Sequence, residues 1–320
     1  MICDVHAHYI PKQFSDFMGE RFGPSVGVPD PTGIARYPVS DSAVDIQGRL
    51  ELMDVAGVET QILSPHRQPY LPDEAECERA LHLLNDGYAE LAARHPSRIR
   101  SYVMLPLPHI DASLREMARG LDQLGCVGVN MNISCLGRSI AEAEFEPIFA
   151  EMNRRGTILF VHPSVTGVCS PVINDWGFRA SIGNSVEDAM FVAHMIARQI
   201  PFRYPNIRFI VPHLGGPIPM LLNRLDQQGV RDLGGLAELP SVTARRFWYD
   251  TVCYGSKAAI CCACEAFGVD KLVTGSDYPV LQAYESYTET FAFIGRIGLP
   301  AGDADRILHH NAQALFGFAH

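Results

Sequence analysis

Eight short apolar runs, spread along 320 residues with a longer amphipathic stretch after most of them, constrain this chain more than any other feature. They read ICDVHAH, TQILSP, IRSYVMLPL, CVGVNMNI, TILFVHP, IRFIVPHL, FWYDTV and KLVTGSDYP. Such runs, rich in β-branched residues, are strands buried on both faces, as in a parallel sheet covered by helices. Strands alternating with helices make βα units, and eight units close a (β/α)₈ TIM barrel. The stretches between them carry a helical period. In DASLREMARGLDQLG, Leu114, Met117, Leu121 and Leu124 recur at three- and four-residue steps, and Asp111 stands where a helix N-cap is expected.

Residues 9–44 break the rhythm with a Pro- and Gly-containing segment before the first convincing helix near Val44. Loops longer than about 12–15 residues without structure of their own are uncommon and usually functional. This one leaves the C-terminal end of the first strand, where barrel active sites lie, so it is expected to be a lid or cap. The chain shows no repeat or interdomain linker, and 1–320 reads as one barrel domain carrying that insert.

Composition excludes several classes. A net charge of −10 gives no basic face for phosphates, so nucleic acid is not an expected partner. No apolar run approaches the roughly 20 residues that span a bilayer, and the start carries Asp4, His6 and His8 instead of a secretory leader. A cytoplasmic, non-membrane protein is the expectation. The nine cysteines include Cys261, Cys262 and Cys264 on a predicted helix without a second pair at zinc-finger spacing, and they are expected to be buried reduced thiols.

In a barrel, groups at the C-terminal ends of different strands converge however far apart they are in sequence. The first strand ends in His6 and His8, whose i, i+2 spacing puts both side chains on one face. The fifth ends in His162, the sixth in His213 and the eighth in Asp277. Imidazole nitrogens and a carboxylate suit a borderline-soft divalent ion with a position left open for water or substrate. Each histidine alone is an ordinary hydrogen-bonded packing residue. Their joint occurrence at one barrel end points to a metal site.

The ordered set DVHAH, VHP, PHLGG and GSDYP resembles the amidohydrolase superfamily, in the branch of α-amino-β-carboxymuconate-ε-semialdehyde decarboxylase and γ-resorcylate decarboxylase. The likeness extends over GRLELMDVAGVETQILS, RYPNIRFIVPHLGGPIPMLLNRLD and ILHHNAQALFG, nearly the whole chain. The resemblance implies that His6, His8, His162 and Asp277 bind one divalent metal, Zn²⁺ first and Mn²⁺ as the alternative. It further implies that His213 is the acid or base beside the metal-bound water, with Asp277 counted in the same catalytic machinery. Arg49 and Arg224 match arginines that hold a substrate carboxylate, and a guanidinium fork suits that group. In the branch the second arginine comes from a neighbouring subunit, which implies a homodimer or a higher homo-oligomer. The expected substrate is a small carboxylated molecule.

Departures from the branch are informative. The chain reads HLGG where resorcylate-type enzymes have HxGE, and Ser164 follows the His-Pro pair where a tryptophan is common. VGVNMNIS and WYDTVCYGS also resemble 4-oxalomesaconate hydratase. Two reactions are therefore expected of the site: decarboxylation of a small unsaturated or aromatic acid or, as the alternative, hydration or hydrolysis by metal-bound hydroxide. Arg67, His66, Trp176 and Phe178 are further candidates for substrate contact.

Overall fold

The computed structural model describes residues 2–22, 41–66, 68–164 and 171–318. Eight strands form one parallel sheet in chain order: β1 Ile2–His8, β2 Val58–Ser64, β3 Ile99–Met104, β4 Gly128–Asn132, β5 Ile158–His162, β6 Arg208–Val211, β7 Trp248–Asp250 and β8 Leu272–Val273. Seven lie within the apolar runs of the sequence, and β2 begins two residues before its run, at Val58. The segment following β8 returns to β1: the Val5 N–H donates to Thr274 C=O at 2.9 Å, the Asp277 N–H donates to His6 C=O at 2.8 Å, and Ala7 bridges Tyr278 in parallel. Those bonds close the (β/α)₈ barrel. Asp4 pairs with Gln61 and Ala7 with Leu63, so β1 carries one extra residue, a bulge, where it presents its histidines.

The outer layer holds helices α1 Lys12–Phe22, α2 Ala43–Ala56, α3 Glu74–Arg94, α4 Ile110–Asp122, α5 Glu146–Arg155, α6 Asn184–Ala197, α7 Ile218–Arg224, α8 Lys257–Phe267 and α9 Asn311–Phe316. Helix α2 begins as a capped helix should, with Ser42 Oγ accepting the Asp45 N–H at 3.1 Å. Helix α4 begins one residue before Asp111, at an N-cap His109 that makes no side-chain cap bond. Asp111 is therefore a first-turn acid at the positive end of the helix dipole instead of the cap.

Helix α1 corrects the reading of 9–44 as a segment without structure of its own before Val44. Phe14 and Met18 sit four residues apart on one face and are buried in one apolar cluster with Leu81, Leu84 and Tyr88 of α3. Gly87 lets α1 approach, since a Cβ there would lie 2.5 Å from Pro11 Cβ. Arg21 pairs with Glu76 at the far end. Residues 23–40 of the expected lid lie outside the described residues.

Inside the barrel, Cys3, Val5, Ile62, Tyr102, Ile158, Phe160, Ile210 and Val273 form a packed floor, joined by Ala312 and Leu315 of α9. Each large apolar side chain so buried contributes roughly 1.5–3 kcal/mol. The Phe160 ring meets His6 edge-on with centroids 4.9 Å apart, so the first strand-end histidine rests on an apolar base closed to water from below. The cysteine expectation holds only in part. All eight described cysteines are free thiols, but Cys261 is exposed and Cys262 and Cys264 are half-buried on α8, while Cys3, Cys77, Cys126 and Cys135 are buried. Among the described residues, no helix is long and apolar enough to cross a membrane.

Candidate active site

The polar residues at the strand ends converge on one point. His6, His8, His162 and Asp277 are all buried, and one ligand atom from each lies within 4.8 Å of the others. His6 Nε2 and His8 Nε2 are 3.2 Å apart, and His8 Nε2 is 2.8 Å from Asp277 Oδ1. The opposite ring nitrogens are engaged elsewhere: His6 Nδ1 donates to Asp250 Oδ2 at 2.7 Å, His8 Nδ1 to the Ser64 carbonyl at 3.3 Å, and His162 Nδ1 to the Pro163 carbonyl at 3.0 Å. Acceptors on all three Nδ1 atoms fix the tautomer and turn three Nε2 lone pairs toward the shared point, the arrangement of metal-ligating imidazoles. Burial pushes His8 and His162 toward the neutral form that ligates. Burial would raise Asp277, but the His8 hydrogen bond and the neighbouring imidazoles outweigh it and hold the carboxyl below its usual range. The donor set fits one divalent cation.

His213 stands beside this group, Nε2 4.0 Å from Asp277 Oδ2, with its Nδ1 2.9 Å from Asp188 Oδ2 on α6. Burial would lower its pKa. The Asp188 carboxylate, through charge and hydrogen bond, and Asp250 and Asp277 more weakly, raise it to about 9. Burial in turn raises Asp188 to about 6. The backbone after β6 is unusual: His213, Leu214, Gly215 and Gly216 all have positive φ, from 51° to 72°. This left-handed curl turns the His213 N–H onto Asp250 Oδ1 at 2.9 Å. Gly216 also touches α6, because a Cβ there would run into the Ser185 carbonyl. That contact leaves no room for a side chain at 216, which would push α6, with Asp188, away from His213.

Asp250 thus serves both halves, orienting His6 and anchoring the His213 backbone. Behind β1 lies another polar network. Asp4, fully buried, accepts from Ser276 Oγ at 2.6 Å, Gln61 Nε2 at 2.9 Å and Tyr287 OH at 2.9 Å. Gln61 also accepts from Arg49 Nη1 at 2.5 Å, while Arg49 Nη2 donates to the His8 carbonyl at 2.7 Å. Arg49 is therefore a buried residue 2% exposed, stacked 4.5 Å from the Tyr278 ring centroid. Its guanidinium fixes β1 at His8.

The structure accordingly gathers His6, His8, His162, His213 and Asp277 and places Arg49 directly behind them. Arg224 is not gathered: it is exposed at the end of α7 and donates to Gln228 at 3.0 Å. His66 lies near the site, its ring centroid 6.1 Å from that of His8. Trp176 and Phe178 are exposed, Trp176 by 76%. Arg67 falls outside the described residues. The sequence reading missed Asp250, Asp188 and Glu187, whose Oε2 accepts from Ser164 N and Oγ at 2.6 and 2.8 Å. Asp250 was findable, since it ends the run FWYDTV as the histidines end theirs.

Comparison with known proteins identifies the family. The Amidohydrolase family matches residues 3–318. The chain belongs to that family. The 2-amino-3-carboxymuconate-6-semialdehyde decarboxylase of Dictyostelium discoideum is 22% identical over 293 residues, covering 86% of this amidohydrolase and 81% of that protein. The 2-keto-4-carboxy-3-hexenedioate hydratase of Sphingobium is 24% identical over 272 residues, covering 79% and 76%. Among solved structures, a 5-carboxyvanillate decarboxylase from Novosphingobium aromaticivorans with bound manganese and a nitrobenzoic acid superposes with a TM-score of 0.84, at 23% identity, covering 99% of this chain and 97% of that one.

Proposed function

We propose that this amidohydrolase is a metal-dependent decarboxylase of a small unsaturated or aromatic carboxylic acid. The observation that carries the reading is His213, a single acid–base group held by Asp188 at the edge of a four-ligand metal site. Decarboxylation exchanges a carboxylate for a proton. In the proposed step His213 delivers its Nε2 proton to the carbon bearing the carboxylate. The carbon–carboxylate bond then breaks, carbon dioxide leaves, and the electron pair of that bond restores the conjugated system. Asp188 on Nδ1 stabilises the imidazolium before transfer, and Asp250 keeps the imidazole at the right height by holding its backbone. A divalent cation, when bound, supplies the positive charge that anchors and polarises the acid.

Of the two arginines, Arg224 is the proposed carboxylate anchor, whereas Arg49, bonded to Gln61 and to the His8 carbonyl, supports β1 beneath the ligands. Arg224, exposed on α7 beside the exposed Met220 and Leu221, is offered to the site of a second copy in a homodimer. Three imidazoles and one carboxylate suit Zn²⁺, and Mn²⁺ is the alternative that occurs in a solved relative. Free, partly exposed thiols accord with a reducing, cytoplasmic setting.

The test is headspace carbon dioxide during turnover of hydroxybenzoic and muconate-type acids by metal-loaded enzyme. Stoichiometric release supports the proposal. Consumption of substrate with a gain of water and no gas overturns it in favour of hydration, the reaction of one relative.

A further inference from the structure

Helix α6 turns one stripe toward the barrel mouth. Asp188 on that stripe meets His213, and Glu187 meets Ser164, two residues beyond the ligand His162. Asn184 lies three and four positions earlier, on the same face, because residues at those steps are neighbours on a helix surface. Before it comes a wide turn over Arg179–Gly183, in which the Asn184 N–H donates to the Arg179 carbonyl. That bond stacks Arg179 above Asn184, farther out along the same line.

Among the described residues, three polar atoms on this stripe are buried with no hydrogen-bond partner: Arg179 Nε, Asn184 Oδ1 and Asp188 Oδ1. Asp188 as a whole is fully buried. Buried polar atoms are nearly always paired, and leaving one bare costs about 1–3 kcal/mol. Asp188 lies against His213, and Asn184 and Arg179 follow it outward along the same run of helix, so a ligand that extends past His213 is placed to supply the missing partners.

We propose that this stripe receives the far end of the substrate and that Arg179 recognises a second acidic group there, so that the enzyme prefers a dicarboxylic to a monocarboxylic acid. The inference rests on the decarboxylase reading above and names its substrate class. A guanidinium donor calls for an anion, whereas the two acceptors call for hydroxyl or amino groups between that anion and the reacting carbon. Nine positions separate Arg179 from Asp188, on the order of 10 Å along the helix axis. The long arginine side chain spans part of that distance, leaving room for a substituted ring or a six-carbon chain.

The experiment compares metal-loaded wild type with R179Q and R179K by titration calorimetry, using benzoate, benzene-1,3-dicarboxylate and benzene-1,4-dicarboxylate. Wild type is expected to bind at least one dicarboxylate 10-fold or more tightly than benzoate. R179Q is expected to erase that preference and R179K to keep part of it, with circular dichroism and metal content unchanged. Equal binding of mono- and diacids by wild type, a preference that survives in R179Q, or no binding of any of the three acids would each overturn the inference. Carbon dioxide release separates the two proposals: a protein that discriminates through Arg179 yet releases no gas from any acid keeps the subsite and loses the decarboxylase reading.

Discussion

The two walls of the barrel mouth are built on different terms. On the strand side, His6, His8 and His162 each have an acceptor on Nδ1, and Asp250 alone makes bonds to His6, to the His213 backbone and to the Val252 N–H. On the α6 side, Asp188 and Asn184 each leave a buried oxygen unpaired, and Arg179 leaves a buried nitrogen. The paired Nδ1 atoms hold a ligand geometry that must not change during turnover, although Asn130 Oδ1 on β4 is also buried and unpaired among the described residues. The unsaturated groups of the α6 wall store an unmet demand that the proposed ligand meets. The ligand geometry therefore belongs to the strands, whereas α6 supplies Asp188 to His213 and, with the turn before it, the proposed choice of molecule.

Four substitutions break or sharpen that contrast. The largest effect is expected from H213A, which removes the one proton donor while leaving the four ligands in place. Turnover should fall by about 10²–10⁴-fold with one metal ion per chain retained. Loss of the metal as well, by elemental analysis, would show that the two walls are not separable. Next comes D250N, which loosens the strand wall at its shared anchor. Metal affinity should drop by about 10–100-fold, measured by competition with a chelating dye, and an unchanged affinity would deny Asp250 its orienting role.

A smaller effect is expected where the walls touch. G216A should force α6 off the curl after β6, lowering stability by about 1–3 kcal/mol and lowering kcat more than KM because Asp188 recedes from His213. Chemical denaturation and steady-state kinetics read the two parts, and wild-type values in both would contradict the close contact.

The smallest effect lies away from the mouth, as a control. Glu151 is held down to about 2 by the Arg154 hydrogen bond, against the opposing effect of burial and with further help from Arg155. A depressed carboxyl contributes stability that is fully present above its ordinary pKa and is lost as the pH falls through about 2. Glu151 is half-buried at the surface and Arg154 is exposed, so E151Q should lower stability by no more than about 1 kcal/mol at pH 7. The gap to wild type should vanish between pH 5 and pH 2 on the order of that pKa difference. A gap that persists at pH 2 would exclude the ion pairs as its source.

Legibility from the sequence followed burial symmetry. All eight strands could be read because a strand covered on both faces is a continuous apolar run, and the ligands could be read because each is the polar residue ending such a run. Asp250 obeys the same rule in FWYDTV, as the acid that follows the apolar part of its run. Helix α1 escaped because KQFSDFMGERF offers its face chiefly through Phe14 and Met18, too little period to outweigh Pro11 and Gly19. Arg49 reads as a surface residue on an amphipathic helix, and only the folded barrel shows its guanidinium beneath the His8 carbonyl.

By itself the sequence determined the barrel, the strand ends and hence the four ligands and His213, because strand alternation and chain order place strand-end groups on one rim without knowledge of any contact. Only the tertiary structure decided which acid faces His213, that Gly216 must lack a side chain, and which atoms of α6 remain unpaired. Those facts depend on the rotation and approach of a helix against the barrel. Helical periodicity fixes the angle between residues on one helix, but not the angle at which that helix meets its neighbours.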